Sequence, residues 1–293
     1  MNTPPGGGQE PSGRPVATLP PALPVRERFG DRLDGMLAVF LDYDGTLTPI
    51  VDDPKDALLT DGTRRAIGAL GAITPVGIVS GRDLDDVHAK VGLDGIAYAG
   101  SHGFDVLLPD GSRREFAVEY LSALDQAQRE LEERVGELPG ARVERKRFAV
   151  AVHDRAVDDP ELRARIASAV EQVGADRDDL RVTGGKRVHE LRPNLDWDKG
   201  RAIETLLSEL NAEECRPIYV GDDVTDEDGF RAVRSRRGVA VVVRGEDDQR
   251  DSLADAVLDT VADTQRLLVE LRELAVANAG ADGLKRSTWM SGP

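Results

Sequence analysis

Apolar positions along the chain gather into short unbroken runs, separated by longer stretches in which they recur at helical spacing. The run at 37–41, L-A-V-F-L, has no polar interruption and stops at Asp42. Two more, at 76–79 and 96–99, stop at Ser80-Gly81-Arg82 and at Gly100-Ser101-His102-Gly103. Runs of this kind read as strands buried on both faces of a parallel sheet. Between the first two, residues 60–70 set Thr63, Ala66, Ile67 and Leu70 at helical spacing behind a Thr60-Asp61 cap. A further helix starts at Asp83 and carries Val87 and Val91. This alternation predicts an α/β fold with a doubly wound parallel sheet.

The rhythm then changes. Residues 106–108 and the turn Pro109-Asp110-Gly111 predict a hairpin, and a long helix follows with Leu121, Leu124, Leu131, Val135 and Leu138 on its apolar side. Residues 142–153 alternate as one strand with an exposed face, Phe148, Val150 and Val152 lying together on the other. Asp159-Pro160 opens a helix carrying Leu162, Ile166, Val170 and Val173, and two short strands flank Gly184-Gly185. The expectation is an inserted, smaller α/β cap domain at 107–191, a plausible size for a small domain, set into a core made of 28–106 and 192–278. The core resumes with a helix containing Lys199, Ile203, Leu206 and Leu207, strands at 217–220 and 238–243, and a terminal helix from Val261. Residues 1–27, rich in Pro and Gly, and residues 279–293 are expected to be flexible tails.

Composition narrows the function classes. A net charge of -16 over 293 residues argues against nucleic acid or an anionic membrane surface as partner. The single Cys215 excludes an internal disulfide and the usual structural zinc site. No apolar run approaches the roughly 18 residues of a membrane span, which with the lone cysteine leads us to expect a cytoplasmic protein.

The chemistry gathers where strands end. V-F-L-D-Y-D-G-T puts Asp42 and Asp44 just past a buried strand, where ligands of open α/β sheets bind, and Gly45 lets the chain turn away. Two carboxylates this close repel unless a cation or a shared proton compensates. A second acidic strand end, G-D-D-V-T-D-E-D-G at 221–229, would bring Asp222, and Asp223 or Asp226, toward the first pair if the two strands are neighbours. Hard oxygen ligands of this sort suit Mg²⁺. The Ser80 hydroxyl at a helix start and the Lys199 ammonium suit a phosphate. Other motifs fail on spacing: an EF-hand register would begin at Val224 and place Ser235 where a Glu is needed, Gly185-Lys186 lacks the upstream Gly of a P-loop, and A-G-S-H-G around Ser101 lacks the first Gly of a hydrolase elbow.

Four segments in order, D-Y-D-G-T at 42–46, S-G-R at 80–82, D-K-G around Lys199 and G-D-D-V-T-D at 221–226, resemble the motifs of haloacid-dehalogenase-type phosphatases. The longer strings D-Y-D-G-T-L-T-P-I, A-G-S-H-G, L-R-P-N-L-D-W-D-K-G and G-D-D-V-T-D-E-D are similar to those of trehalose-6-phosphate phosphatases. That resemblance implies the haloacid dehalogenase-like fold with an inserted α/β cap of the C2 type, and hydrolysis of a small-molecule sugar phosphate; the sequence leaves the oligomeric state open, a monomer being favoured. It makes Asp42 the nucleophile and Asp44 the acid and base at the leaving oxygen and the water. Mg²⁺ would be held by Asp42, the main-chain oxygen of Asp44 and Asp222, supported by Asp223 or Asp226. Ser80, Gly81, Arg82 and Lys199 would hold the phosphoryl group, and Glu144, Lys146, Arg155, Lys186 and Glu190 of the cap would hold the sugar. Strand parity agrees for Lys186 and Glu190, but sets Arg155 on the face opposite Glu144 and Lys146 unless the strand ends or bulges first. His153-Asp154-Arg155 also departs from the family, which has an aromatic residue at the position of Asp154. Two other readings stay open: another phosphatase of the same fold, acting on mannosyl-3-phosphoglycerate or sucrose phosphate, and a non-catalytic sugar-phosphate-binding regulator, which intact Asp42 and Asp44 disfavour.

Overall fold

A computed structural model describes residues 13–51, 53–185, 187–245 and 248–281 of the chain. In order, its elements begin with β1 (Arg14–Pro15), α1 (Val25–Phe29), β2 (Leu37–Leu41), α2 (Asp61–Gly71), β3 (Val76–Val79), α3 (Leu84–Val91) and β4 (Ala97–Gly100). There follow β5 (Asp105–Leu107), β6 (Arg113–Glu115), α4 (Leu121–Val135), β7 (Arg142–Lys146), β8 (Ala149–His153), α5 (Pro160–Ala175), β9 (Leu180–Gly185) and β10 (Val188–Pro193). The chain ends with α6 (Lys199–Glu209), β11 (Arg216–Gly221), α7 (Glu227–Ser235), β12 (Val239–Val243), β13 (Asp251–Ser252), β14 (Ala256–Leu258) and α8 (Val261–Ala281). These elements fall into two compact units: residues up to 79, 90–97 and from 198 form the first, and residues 80–89 and 98–197 the second.

The first unit is built on parallel strands in the order β14-β12-β11-β2-β3. Every residue of β2 is buried, as an uninterrupted apolar run requires when helices cover both faces. That both faces are covered follows from β3: Val76 lies against Gly71 of α2, whereas the adjacent Gly77 faces Leu206 of α6. Successive strand residues point to opposite sides, so α2 and α6 sit on opposite faces and the sheet is doubly wound, as expected. The Thr60 hydroxyl caps α2 by accepting from the Thr63 N–H at 3.1 Å, and α2 packs on α8 as α6 packs on α7.

Three expectations about this unit need correction. Residues 13–27 are not a loose tail: β1 pairs with β13, Ala22 N–H donates to Val257 at 2.8 Å, and Val16, Leu19, Ala22 and Val25 are buried. Prolines are tolerated there because the segment lies along a sheet edge, where a missing N–H costs no ladder bond. Residues 1–12 lie outside the described residues. At the other end α8 continues to Ala281, three residues into the expected tail. Beyond β12 the sheet gains β14, whose three residues are too few for a periodic signal.

The second unit carries the antiparallel meander β4-β5-β6 and a four-stranded antiparallel sheet in the order β7-β8-β10-β9. Helices α4 and α5 pack on one face of the latter through Leu124, Leu131, Ile166, Val170 and Val173 against Val150, Val152, Leu180 and Leu191. The expected single strand at 142–153 is instead a hairpin with Lys146 opposite Ala149. A tight turn at Arg147-Phe148 preserves the alternation on both arms, so periodicity alone cannot reveal it.

This unit also reaches beyond 107–191. Residues 80–89 and 98–106 join it because Asp83 accepts from the Arg147 N–H at 3.2 Å and Phe104 packs on Phe148 and Trp197. Trp197, stacked on Phe104 at 5.6 Å, brings 192–197 in as well.

Candidate active site

At the carboxyl ends of β2 and β11, which run side by side with Leu41 opposite Val220, the two acidic segments meet. Asp42 remains in the ladder for one more bond, its N–H donating to Val220 at 2.9 Å, and its carboxylate is buried. The chain then turns: Tyr43 is fully buried with its hydroxyl donating to the Ala57 carbonyl at 2.9 Å, and Gly45 N–H donates to the Thr48 carbonyl at 2.8 Å. Gly45 is required twice over. Its φ is +80°, and a Cβ there would lie 2.0 Å from Asp222 Oδ2.

Lys199 opens α6, where Asp198 caps the helix by accepting from the Arg201 N–H at 2.8 Å. Its buried Nζ donates to Asp42 Oδ1 at 2.8 Å and to Asp226 Oδ1 at 2.6 Å. Asp226 is wholly buried and satisfied on both oxygens. Oδ1 also accepts from the Tyr219 hydroxyl, and Oδ2 accepts from the backbone N–H groups of Asp222 at 3.0 Å and Asp223 at 2.9 Å. Gly221 makes room for this carboxylate, since a Cβ there would stand 2.3 Å from Asp226 Cγ.

One carboxylate oxygen from each of Asp42, Asp222 and Asp226 lies within 4.8 Å of the others. Three carboxylates thus gather beside one ammonium, which pairs with two of them, an excess of negative charge in a largely buried place. Burial, only partly offset by Lys199, pushes the Asp42 carboxyl up to about 7. Burial together with Asp42 and Asp226 pushes Asp222 up to about 9. Burial would lower the Lys199 ammonium, but Asp226 and Asp42 more than offset it and hold the group protonated, above the ordinary lysine range. The oxygen donors fit a hard divalent cation, which would neutralise the excess. Asp226 spends its lone pairs on four internal donors, so Asp42 and Asp222 are the carboxylates with capacity left for such an ion.

The remaining sequence-derived candidates divide. Asp223 is exposed and caps the turn at 224–226 by accepting from the Val224 N–H at 2.5 Å, whereas the Asp226 carboxylate lies with those of Asp42 and Asp222. β2 ends at Leu41, so strand parity does not carry from Asp42 to Asp44, and the Asp44 carboxylate is not one of the clustered three.

Ser80, Gly81 and Arg82 belong to the second unit. The buried Ser80 hydroxyl accepts from the Arg82 N–H at 3.2 Å, Arg82 pairs with Asp86 at 2.8 Å, and the His102 ring lies against Gly81. On the polar face of β7-β8-β10-β9, Lys146 Nζ meets Glu190 Oε1 at 2.6 Å, and Glu144 meets His153 at 2.6 Å. β8 ends at His153, which lifts the parity objection to Arg155. Lys186 lies outside the described residues.

Sequence reasoning missed four residues. Tyr219 sits in the apolar run P-I-Y-V and reads there as core. Arg250 donates to the Asp222 carbonyl and pairs with Asp248 at 3.1 Å, a contact no local pattern announces. Arg192 donates to Glu190 through Nε at 2.9 Å, and His153 holds Glu144; their places on the polar face of their strands were the available signal.

The trehalose-phosphatase family model matches residues 40–262. A trehalose-phosphate phosphatase from Mycobacterium marinum is 46% identical over 257 residues, 85% of this chain and 65% of that protein. The chain therefore spans just under two thirds of the length of this curated relative. Among solved structures, the C-terminal domain of a C. albicans trehalose-6-phosphate phosphatase superposes with a TM-score of 0.72 at 24% identity, covering 87% of this chain and 98% of its own. A trehalose-6-phosphate phosphatase related protein gives a TM-score of 0.66 at 28% identity, covering 82% and 99%. The α/β architecture is that of the haloacid dehalogenase-like fold.

Proposed function

The chain belongs to the trehalose-phosphatase family, and from that premise we propose that it hydrolyses trehalose 6-phosphate to trehalose and orthophosphate. The observation that supports this reading most is the cluster of Asp42, Asp222 and Asp226 at two adjacent strand ends, with the buried Lys199 ammonium paired to Asp42 and Asp226. Carboxylates concentrated to this degree need a cation, and an ammonium held between two of them offers a positive charge to an anionic substrate.

In this reading an oxygen of Asp42 attacks phosphorus in line, the bond from phosphorus to the sugar oxygen breaks, and Asp44 gives that oxygen its proton. Water, deprotonated by Asp44, then attacks the aspartyl-phosphate, releasing orthophosphate and restoring Asp42. Lys199 neutralises charge as it spreads over the phosphoryl oxygens, and Ser80 and Arg82 are assigned to the same group. Mg²⁺, held by Asp42, the Asp44 main-chain oxygen and Asp222, would supply further charge neutralisation at the phosphoryl group. Glu144, Lys146, Arg155 and Glu190 are assigned to sugar hydroxyls, and a cytoplasmic location fits the single buried thiol of Cys215.

Phosphate release from trehalose 6-phosphate, sucrose 6-phosphate and mannosyl-3-phosphoglycerate, each with Mg²⁺ and with EDTA, tests the proposal. Turnover of trehalose 6-phosphate should dominate and vanish in EDTA. Faster turnover of either other substrate would overturn the specificity, and undiminished turnover in EDTA would overturn the metal assignment.

A further inference from the structure

Tyr219 lies on β11 with its ring against Phe230, centroids 5.6 Å apart, and is fully buried. A phenylalanine would fill this space equally well, so packing does not explain the hydroxyl. The hydroxyl donates to Asp226 Oδ1, the same atom that accepts from Lys199 Nζ at 2.6 Å, while Lys199 also donates to Asp42 Oδ1 at 2.8 Å. Four groups thus form one chain: phenol, carboxylate, ammonium, nucleophilic carboxylate. Among the described residues Tyr219 is the one neutral donor to Oδ1, and it stands at the far end from the reacting atom.

We infer that Tyr219 is a positioning residue of the reaction proposed above: by occupying part of Asp226 Oδ1, its hydroxyl keeps the Lys199 ammonium shared with Asp42 and available to a phosphoryl oxygen. The assignment rests on that proposed function. A buried carboxylate oxygen with a single donor draws it strongly, because the low local dielectric magnifies the attraction. A second donor spreads the negative charge and weakens the hold on the first. Without the phenol, Asp226 would pull Lys199 toward itself, lengthening its contact with Asp42 and lowering its affinity for an incoming anion. Gly229 serves the same arrangement, since a Cβ there would stand 2.3 Å from Tyr219 Cε1 and push the ring off line.

The test compares the 293-residue chain with its Tyr219→Phe and Phe230→Leu variants. Tyr219→Phe removes a single oxygen and should fold. Binding of orthophosphate to the Mg²⁺-loaded protein, followed by calorimetry, should weaken by about fivefold to tenfold, a part of the worth of a hydrogen bond to a charged group, because the lost bond acts on the anion only through Lys199. kcat on trehalose 6-phosphate should fall by a similar factor. Phe230→Leu, which disturbs the ring's neighbour and leaves the hydroxyl, should lower the melting temperature while phosphate affinity and kcat of the folded fraction stay at wild-type values. Orthophosphate binding by Tyr219→Phe equal to wild type would overturn the inference, as would an equal loss of binding in Phe230→Leu. The binding comparison does not depend on the sugar. If the wild-type protein binds orthophosphate and releases none from trehalose 6-phosphate, the proposed substrate fails and the Tyr219 comparison is decided by binding alone.

Discussion

Replacing Asp42 by Asn keeps the side chain's shape while removing both its charge and the oxygen pair from which one can attack phosphorus. Asp42→Asn should therefore lower phosphate release by at least about three orders of magnitude, since a nucleophile cannot be replaced by the surrounding donors. Colorimetric phosphate assays on protein checked by its melting curve would measure this; residual activity above a few percent would remove Asp42 from its role. Asp42, Asp222 and Asp226 were legible in the sequence because short apolar runs led into acidic residues, and apolar runs of that length specify parallel strands whose tips converge; Lys199, which opens a helix, stood out only beside those acids. Tyr219 and Arg250 were not. Tyr in an apolar strand carries the same pattern signal as Phe, and Arg250 reaches the Asp222 carbonyl from 28 positions away in the chain. Between Asp223 and Asp226 the sequence could not choose, because acids so close together look equivalent until the fold sets Asp223 at the cap of a turn and brings Asp226 to Asp42 and Asp222.

Elements show the same division between what local pattern specifies and what distant contacts decide. The bounds of β3, the start of α5 behind Asp159-Pro160 and the cap of α2 are all written in residues next to one another. The hairpin of β7 and β8 is not, because its turn, Arg147-Phe148, holds none of the residues that usually signal one. Its stop signal is Asp83, more than sixty positions earlier, whose carboxylate accepts from the Arg147 N–H at 3.2 Å on each oxygen and from the Ser101 hydroxyl at 3.0 Å. That side chain stitches together Ser101 and the β7-β8 turn. Asp83→Ala leaves the turn amide without its acceptor and should cost about 1–2 kcal/mol of stability in the second unit. Urea unfolding followed by the fluorescence of Trp197, which stacks on Phe104 in the same unit, would register the shift. A midpoint unchanged from wild type would mean that the hairpin is specified by its own residues after all.

Across the whole molecule the net charge of -16 makes acid the natural probe, because carboxylates dominate the titration. In the second unit, Glu190 is buried on the polar sheet face between Arg192 and Lys146. Burial alone would raise its carboxyl, but Arg192 and Lys146 more than offset that and leave it at about 2. A carboxyl depressed in the folded state contributes stability that is fully present above its unfolded value, here 4.5, and that disappears as pH falls toward about 2. The contribution is on the order of 2 kcal/mol, moderated by the cost of holding three charged groups out of water. Glu190→Gln should therefore be less stable than the wild-type chain by that amount at pH 6. The gap should narrow steadily below pH 4.5 and close near pH 2, because the protonated wild-type side chain and the amide then pair equally poorly with the two cations. Urea midpoints of both proteins at intervals from pH 6 to pH 2, again read through Trp197, would trace the convergence. A constant gap across that range would mean that Glu190 matters for its packing and hydrogen bonds and not for its charge, and the polar sheet face would lose its electrostatic argument as the surface proposed for a sugar's hydroxyls.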